Sequence, residues 1–279
     1  MPAVFDVAVL SLISALTWGV ADFTGGLISK RANVYGVVIL AHFASLILIV
    51  VGILTTNEAI PSEADLLWGM GAGVALMIGM LSLYRALSTG QMGIVAPIAG
   101  VLTASIPVVF SALTEELPSL VRLIGFATAL IGIWQVSRSN TISNQPKGLG
   151  YAFLSGLGYA GFFIMIAQVN DNVIFYPLLM ARLSSIVLLG GFILFNGVKW
   201  MPPRNIIPII ALISGFNMIG NITFIRATQA GQLAIASVLG SLYPVFTILL
   251  AMIILKETMS IRQLIGIALT LIAIVLIVI

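Results

Sequence analysis

The chain contains no cysteine and one histidine, and only 8% of its 279 residues are charged. Without cysteine there is no disulfide framework, no thiol nucleophile and no zinc cluster. The lone histidine, His42, is too little for a metal site, so neither metal nor cofactor is expected and an enzyme is not. An ordinary soluble domain is about 25% charged, so this chain has too few charges to coat a water-facing surface. It also lacks a phosphate-cradling Gly-Lys-Ser/Thr loop, which excludes ATP-driven pumping by this chain alone. No basic stretch precedes the first apolar run from Met1 to Asp6, and a second apolar run follows at once, so that run reads as a span and not a cleaved signal. The sequence pI of about 9.4 does not indicate nucleic-acid binding, because the basic residues lie scattered in short loops.

What is present is apolar residue: 60% of the chain, in runs from end to end. A bilayer core of about 30 Å needs roughly 20 apolar residues per helix. Cutting at polar or Pro/Gly-marked breaks predicts ten spans: Val4 to Ile28, Val34 to Leu54, Leu66 to Leu87, Met92 to Leu113, Leu120 to Val136, Leu149 to Val169, Ile174 to Phe195, Ile206 to Thr228, Leu233 to Leu255 and Ile261 to Ile279.

The chain also repeats itself. Tyr84-Arg85-Ala86 through Gly93-Ile94 returns as Ile225-Arg226-Ala227 through Ala234-Ile235. The register continues through Glu116/Glu257, Ser119/Ser260 and Leu123-Ile124-Gly125/Leu264-Ile265-Gly266, about 14 identities in roughly 50 positions. The longest polar piece, Ser137 to Lys147, falls where a fused duplicate has its linker. The expected organisation is therefore a first five-helix unit at 1–137, a linker at 138–147 and a second five-helix unit at 148–279. Ser260 with Gln263 three residues on reads as a capping box for the last helix.

Orientation follows from charge. Loops after odd-numbered spans hold Lys30, Arg31, Arg85, Arg138, Lys147, Lys199, Arg204, Lys256 and Arg262; the opposite loops hold Arg122 and Arg226 with most of the acids, namely Asp6, Glu58, Glu63, Asp65, Glu115, Glu116 and Asp171. Lys and Arg excess marks the cytoplasmic side, which places both termini outside. With an odd number of spans per unit, the two units are inverted relative to each other, the arrangement that many secondary transporters use for alternating access around a midplane site. The expected fold class is an all-α polytopic membrane protein of ten transmembrane helices, built as two inverted five-helix repeats around a central cavity.

Ionisable groups inside hydrocarbon cost a few kcal/mol each and need a partner or a wet cavity. Asp22, His42 and Arg182 are the three. Trp18 and Tyr159 superpose under the repeat, and His42 and Arg182 nearly do. Asp22 follows Trp18 by four residues and shares its helix face, so that carboxylate and aromatic ring together suit an ammonium group. Arg182 offers a planar fork for a carboxylate or phosphate. Together they suit the two ends of a zwitterion; equally, Asp22 and Arg182 can neutralise each other. Asp22 or His42 can carry a coupling proton, and a neutral His42 bonded to a neighbouring helix is the simpler alternative. Asn217 and Asn221, one turn apart, suit either chamber lining or interhelical bonding. Arg85 and Arg226 are explained by snorkelling to the interface, and Tyr84 and Tyr243 by aromatic belts or core packing.

The units carry a diffuse but recognisable pattern: Glu115-Glu116, Ser119 and Leu123-Ile124-Gly125 in one, and Pro244-Val245-Phe246, Leu255-Lys256-Glu257, Ser260 and Gln263-Leu264-Ile265-Gly266 in the other, with Trp18-Gly19 in the first span. This resembles the EamA domain of the drug/metabolite transporter superfamily over nearly the whole chain. The first unit departs from the pattern, with Thr103 where the second has Pro244. The resemblance implies a ten-helix basket with a central cavity, in a multi-pass protein of the cell's inner membrane that exports or exchanges amino acids, metabolites or drugs. The partners expected are a small-molecule substrate and the lipid bilayer, with protons as candidate coupling ion and no nucleic acid. The expected function is export of a small polar solute such as an amino acid. A sugar or nucleoside permease, a drug exporter and a lipid or lipid-carrier flippase are the alternatives.

Overall fold

The computed structural model describes residues 2–56, 58–90, 92–114, 119–137, 148–170, 173–231, 233–256 and 260–278. The linker 138–147 and the side chains of Glu115, Glu116, Arg122, Asp171, Glu257 and Gln263, on which parts of the charge and capping arguments rest, lie outside what is described. The described residues are all-helical in their regular structure: α1 (Pro2–Ile28), α2 (Val34–Thr56), α3 (Glu63–Thr89), α4 (Met92–Thr114), α5 (Leu120–Ser137), α6 (Leu149–Ile166), α7 (Phe175–Phe195), α8 (Ile207–Ala230), α9 (Leu233–Gly240), α10 (Tyr243–Leu255) and α11 (Ile261–Val278).

Among the described residues, eight segments are long and apolar enough to cross a membrane, the last of them, Leu233–Leu255, being α9 and α10 taken together. That segment differs from the expected single helix. Pro244 has no N–H to continue the ladder, and the chain turns over Ser241 and Leu242 before α10 begins. The surface agrees with a lipid environment: Ile47 and Val51 on α2 and Val187, Leu194 and Phe195 on α7 are more than half exposed, and water penalises such apolar area.

The helices pack by exchange. α1 lies against α8, α9 and α10; α6 lies against α3 and α4; α2 meets α7, and α5 meets α11. The α3–α6 contact is close because both partners are glycine where the helices cross: a Cβ on Gly158 would strike the backbone of Gly79 and Ala75. In lipid, where neighbouring hydrocarbon is as apolar as the helices, such small-residue contact is what holds helices together.

Polar ties at one end of the bundle fix the crossing. Ser62 caps α3: its Oγ accepts from the Asp65 N–H at 3.2 Å while Asp65 accepts from the Ser62 N–H at 3.1 Å, a capping box that satisfies two orphan donors. Asp65 also accepts from the Asn170 N–H at 2.9 Å. Glu58 caps α7 from outside its own helix, accepting from the N–H groups of Ile174, Phe175 and Tyr176 at 3.0–3.1 Å. A carboxylate on the positive end of a helix dipole with three N–H donors is a strong cap. Glu58→Ala is therefore expected to destabilise the fold by about 1–2 kcal/mol, read as a fall of a few degrees in the melting temperature of purified protein. An unchanged melting temperature would show that the cap contributes nothing.

Candidate functional site

The first helix brings Trp18 and Asp22 to the centre, one turn apart. Trp18 lies over Gly220 of α8, and its indole Nε1 donates to Asn221 Oδ1 at 3.0 Å. Its ring stacks on Phe163 of α6 at 5.5 Å between centroids and packs against Phe224 of α8 at 5.4 Å. The Tyr159 hydroxyl on α6 donates to Asp22 Oδ1 over a long 3.5 Å, and the Tyr159 ring meets Tyr243 edge-on at 5.8 Å. These groups enclose a cavity of about 10 Å³ bounded by Trp18, Asp22, Leu76, Tyr159, Phe162, Phe163, Asn217 and Tyr243. That is room for about one water.

Three pairs of positions separated by 141 residues border this one cavity: Trp18 and Tyr159, Asp22 and Phe163, Leu76 and Asn217. At each pair the two copies of the repeat carry different chemistry. By sequence position Asp22 corresponds to Phe163 and Asn217 to Leu76, so the corresponding lining positions differ in polarity.

Arg182 and His42 form a second centre. Arg182 is 2% exposed and His42 1%, and Arg182 Nη1 lies 3.2 Å from His42 Nδ1. A guanidinium only donates, so Nδ1 accepts and the imidazole is neutral with its proton on Nε2. Arg182 is bonded to His42 and, among the described residues, forms no ion pair with Asp22. His42 Nε2 and Arg182 Nε are buried with no hydrogen-bond partner, and so is Asn221 Nδ2. Among the described residues these three buried donors lack an acceptor, and the Asp22 carboxylate accepts one long bond, from Tyr159. Leaving such groups unmet costs about 1–3 kcal/mol apiece.

Of the residues named from sequence, Trp18, Asp22, Tyr159 and Asn217 border the cavity, Asn221 stands behind it as the acceptor for Trp18, and His42 and Arg182 bond to each other without bordering it. Tyr243, assigned from sequence to a belt or to core packing, also borders the cavity, and Tyr84, assigned likewise, is a core residue. Tyr84 is fully buried and not part of an interfacial belt: its ring occupies the space that a Cβ on Gly25 would need, and it lies within electrostatic reach of both Asp22 and Arg182. The available signal was asymmetry, since the repeat has Ile225 at the position of Tyr84. Among the described residues no group of three or more His, Asp or Glu side chains is arranged to hold a metal ion.

Comparison with known proteins places this geometry. Residues 146–279 match the model of the EamA-like transporter family. The chain is 25% identical over 135 residues to an uncharacterized protein of Methanocaldococcus jannaschii, the match taking in 47% of this chain and 96% of that one. A crystal structure described only as that of a protein shares the fold, with a TM-score of 0.76 at 14% identity and 97% of each chain covered. Residues 146–279, just under half of the chain, belong to the EamA-like transporter family.

Proposed function

We propose that this protein is a secondary-active carrier that exports or exchanges a small zwitterionic solute, an amino acid or close relative, by alternating access. The observation that carries the reading is the separation of unmet chemistry. An acceptor short of donors, Asp22, stands among aromatic rings, and donors short of acceptors, Arg182 Nε and His42 Nε2, stand at the neighbouring centre. A solute with an ammonium at one end and a carboxylate at the other answers both. Asp22 also serves as the candidate proton carrier, and His42 tunes Arg182.

The reading includes two inverted five-helix units, 1–137 and 148–279, that rock about this centre with both termini outside. The exchange of packing partners between halves supports it, as do the three cavity positions paired at 141 residues and a relative only one unit long.

A second reading, export of amines or cationic drugs, is favoured by the cavity wall itself, which holds Asp22 and rings but not Arg182. Arg182→Gln separates the two in proteoliposomes. Losing a charge-assisted bond worth about 2 kcal/mol lowers amino-acid flux roughly 30-fold and leaves amine flux within a few-fold. Normal amino-acid flux in that variant would reject the zwitterion assignment.

A further inference from the structure

Arg85 and Arg226, the most polar residues of the internal repeat, play no part in the central site, yet each opens onto a large groove. One groove, of about 570 Å³, is bordered by Arg85 with Asn33, Tyr35, Leu81, Tyr151 and Leu154. The other, of about 680 Å³, is bordered by Arg226 with Phe5, Asp6, Leu10 and Gln229. The two are related by the repeat: Arg85 and Arg226, and likewise Tyr151 and Leu10, stand 141 residues apart. They lie at opposite ends of α1, one at the turn after Ile28 and one near Phe5. A 27-residue helix is about 40 Å long, so the grooves lie at opposite ends of the bundle.

Their charge differs. Asp6 shares the Arg226 groove, whereas no described acidic side chain borders the Arg85 groove. Arg85 is exposed and brings its planar fork, suited to two phosphate oxygens, to a wall of aliphatic side chains with two phenols, Asn33 and Ser82 as its uncharged polar groups. Tyr35 and Tyr151 bring two phenol hydroxyls to the same groove, a residue type common at membrane interfaces. Ile78, Leu81 and Leu154 continue the same wall as an apolar track for an acyl chain.

We propose that the Arg85 groove is a binding site for an anionic phospholipid. Its phosphate sits on the Arg85 guanidinium, its headgroup hydroxyls meet Tyr35 and Tyr151, and one acyl chain lies along Leu81 and Leu154. A free phosphate would leave the apolar track unused, and a zwitterionic headgroup would find no carboxylate for its ammonium. The Arg226 groove, which also holds the carboxylate of Asp6, serves as the internal control. The inference is independent of the cargo and of which membrane face each groove occupies.

The test uses the full chain in lipid-stripped detergent micelles, with melting temperature followed as phosphatidylglycerol, phosphatidylcholine or inorganic phosphate is added. Wild type is expected to rise by about 3 °C or more with phosphatidylglycerol, since a ligand of the folded state stabilises it, and to respond little to the other two. Arg85→Gln is expected to lose most of that rise, Arg85→Lys to keep part of it, and Arg226→Gln to keep it all. An undiminished rise in Arg85→Gln overturns the proposal, as does an equal rise with inorganic phosphate. Loss of the rise in Arg226→Gln to the same degree would also overturn it, because the effect would then be general surface charge.

Discussion

Asp22→Asn is expected to abolish substrate movement, lowering flux into proteoliposomes by at least about 100-fold, while leaving the fold as stable as before or more so. The two halves of that expectation have separate causes. Asp22 is 3% exposed and its one hydrogen bond, from Tyr159, spans 3.5 Å, so little in the protein repays the loss of its hydration. Replacing a buried and poorly partnered charge by a neutral isostere is often neutral or stabilising. The transported solute is different, because among the described residues bordering the cavity only Asp22 offers a carboxylate. Without that charge an ammonium leaves water for a ring of Trp18, Tyr159, Phe162 and Phe163, whose π faces alone supply about 2 kcal/mol. Loss of transport with an unchanged or raised melting temperature marks Asp22 as a functional residue whose retention costs stability, the trade expected of a binding site. Wild-type flux in Asp22→Asn would remove the carboxylate from the mechanism, and a large fall in melting temperature would make it a structural group.

The second large effect is expected at a residue with no side chain. Gly158→Leu should prevent accumulation of folded protein, costing about 3 kcal/mol or more. A Cβ there meets the amide and Cα of Gly79 and the carbonyl of Ala75, all backbone atoms of α3 that cannot rotate aside. α6 would have to move away from α3, taking with it Tyr159, Phe162 and Phe163, so the damage reaches the cavity as well as the fold. The same helix supplies the control, since Gly150 has nothing within 4 Å of the space a Cβ would fill. Gly150→Leu should leave expression and melting temperature unchanged, and its higher helix propensity can raise them slightly. Equal behaviour of the two variants would show that the α3–α6 crossing tolerates separation.

Much of this was legible before any coordinates. Hydropathy and length set the helices, because a backbone in hydrocarbon must satisfy its own hydrogen bonds and does so as helices of bilayer length. The cost of burying charge singled out Asp22, His42 and Arg182 among the few ionisable residues in apolar runs, and all three are buried.

Tertiary structure decided who meets whom. The sequence could not say whether Asp22 and Arg182 neutralise each other, because that depends on helix rotations of a few tens of degrees; packing turns Arg182 toward His42 instead and leaves Asp22 among aromatic rings. Tyr84 was hidden by its place near a span end, which suits an interfacial tyrosine equally well, until Gly25 gave its ring a way inward. The break between α9 and α10 follows from Pro244, but a proline alone does not say whether a helix kinks or stops. Glu58 was a loop acid in the sequence, and only the fold places it on the first turn of α7. Periodicity and transfer cost are local properties that a single chain carries along its length. Pairing across helices depends on the rotation and approach of elements far apart in sequence, and here small residues such as Gly79, Gly158 and Gly220 set that approach.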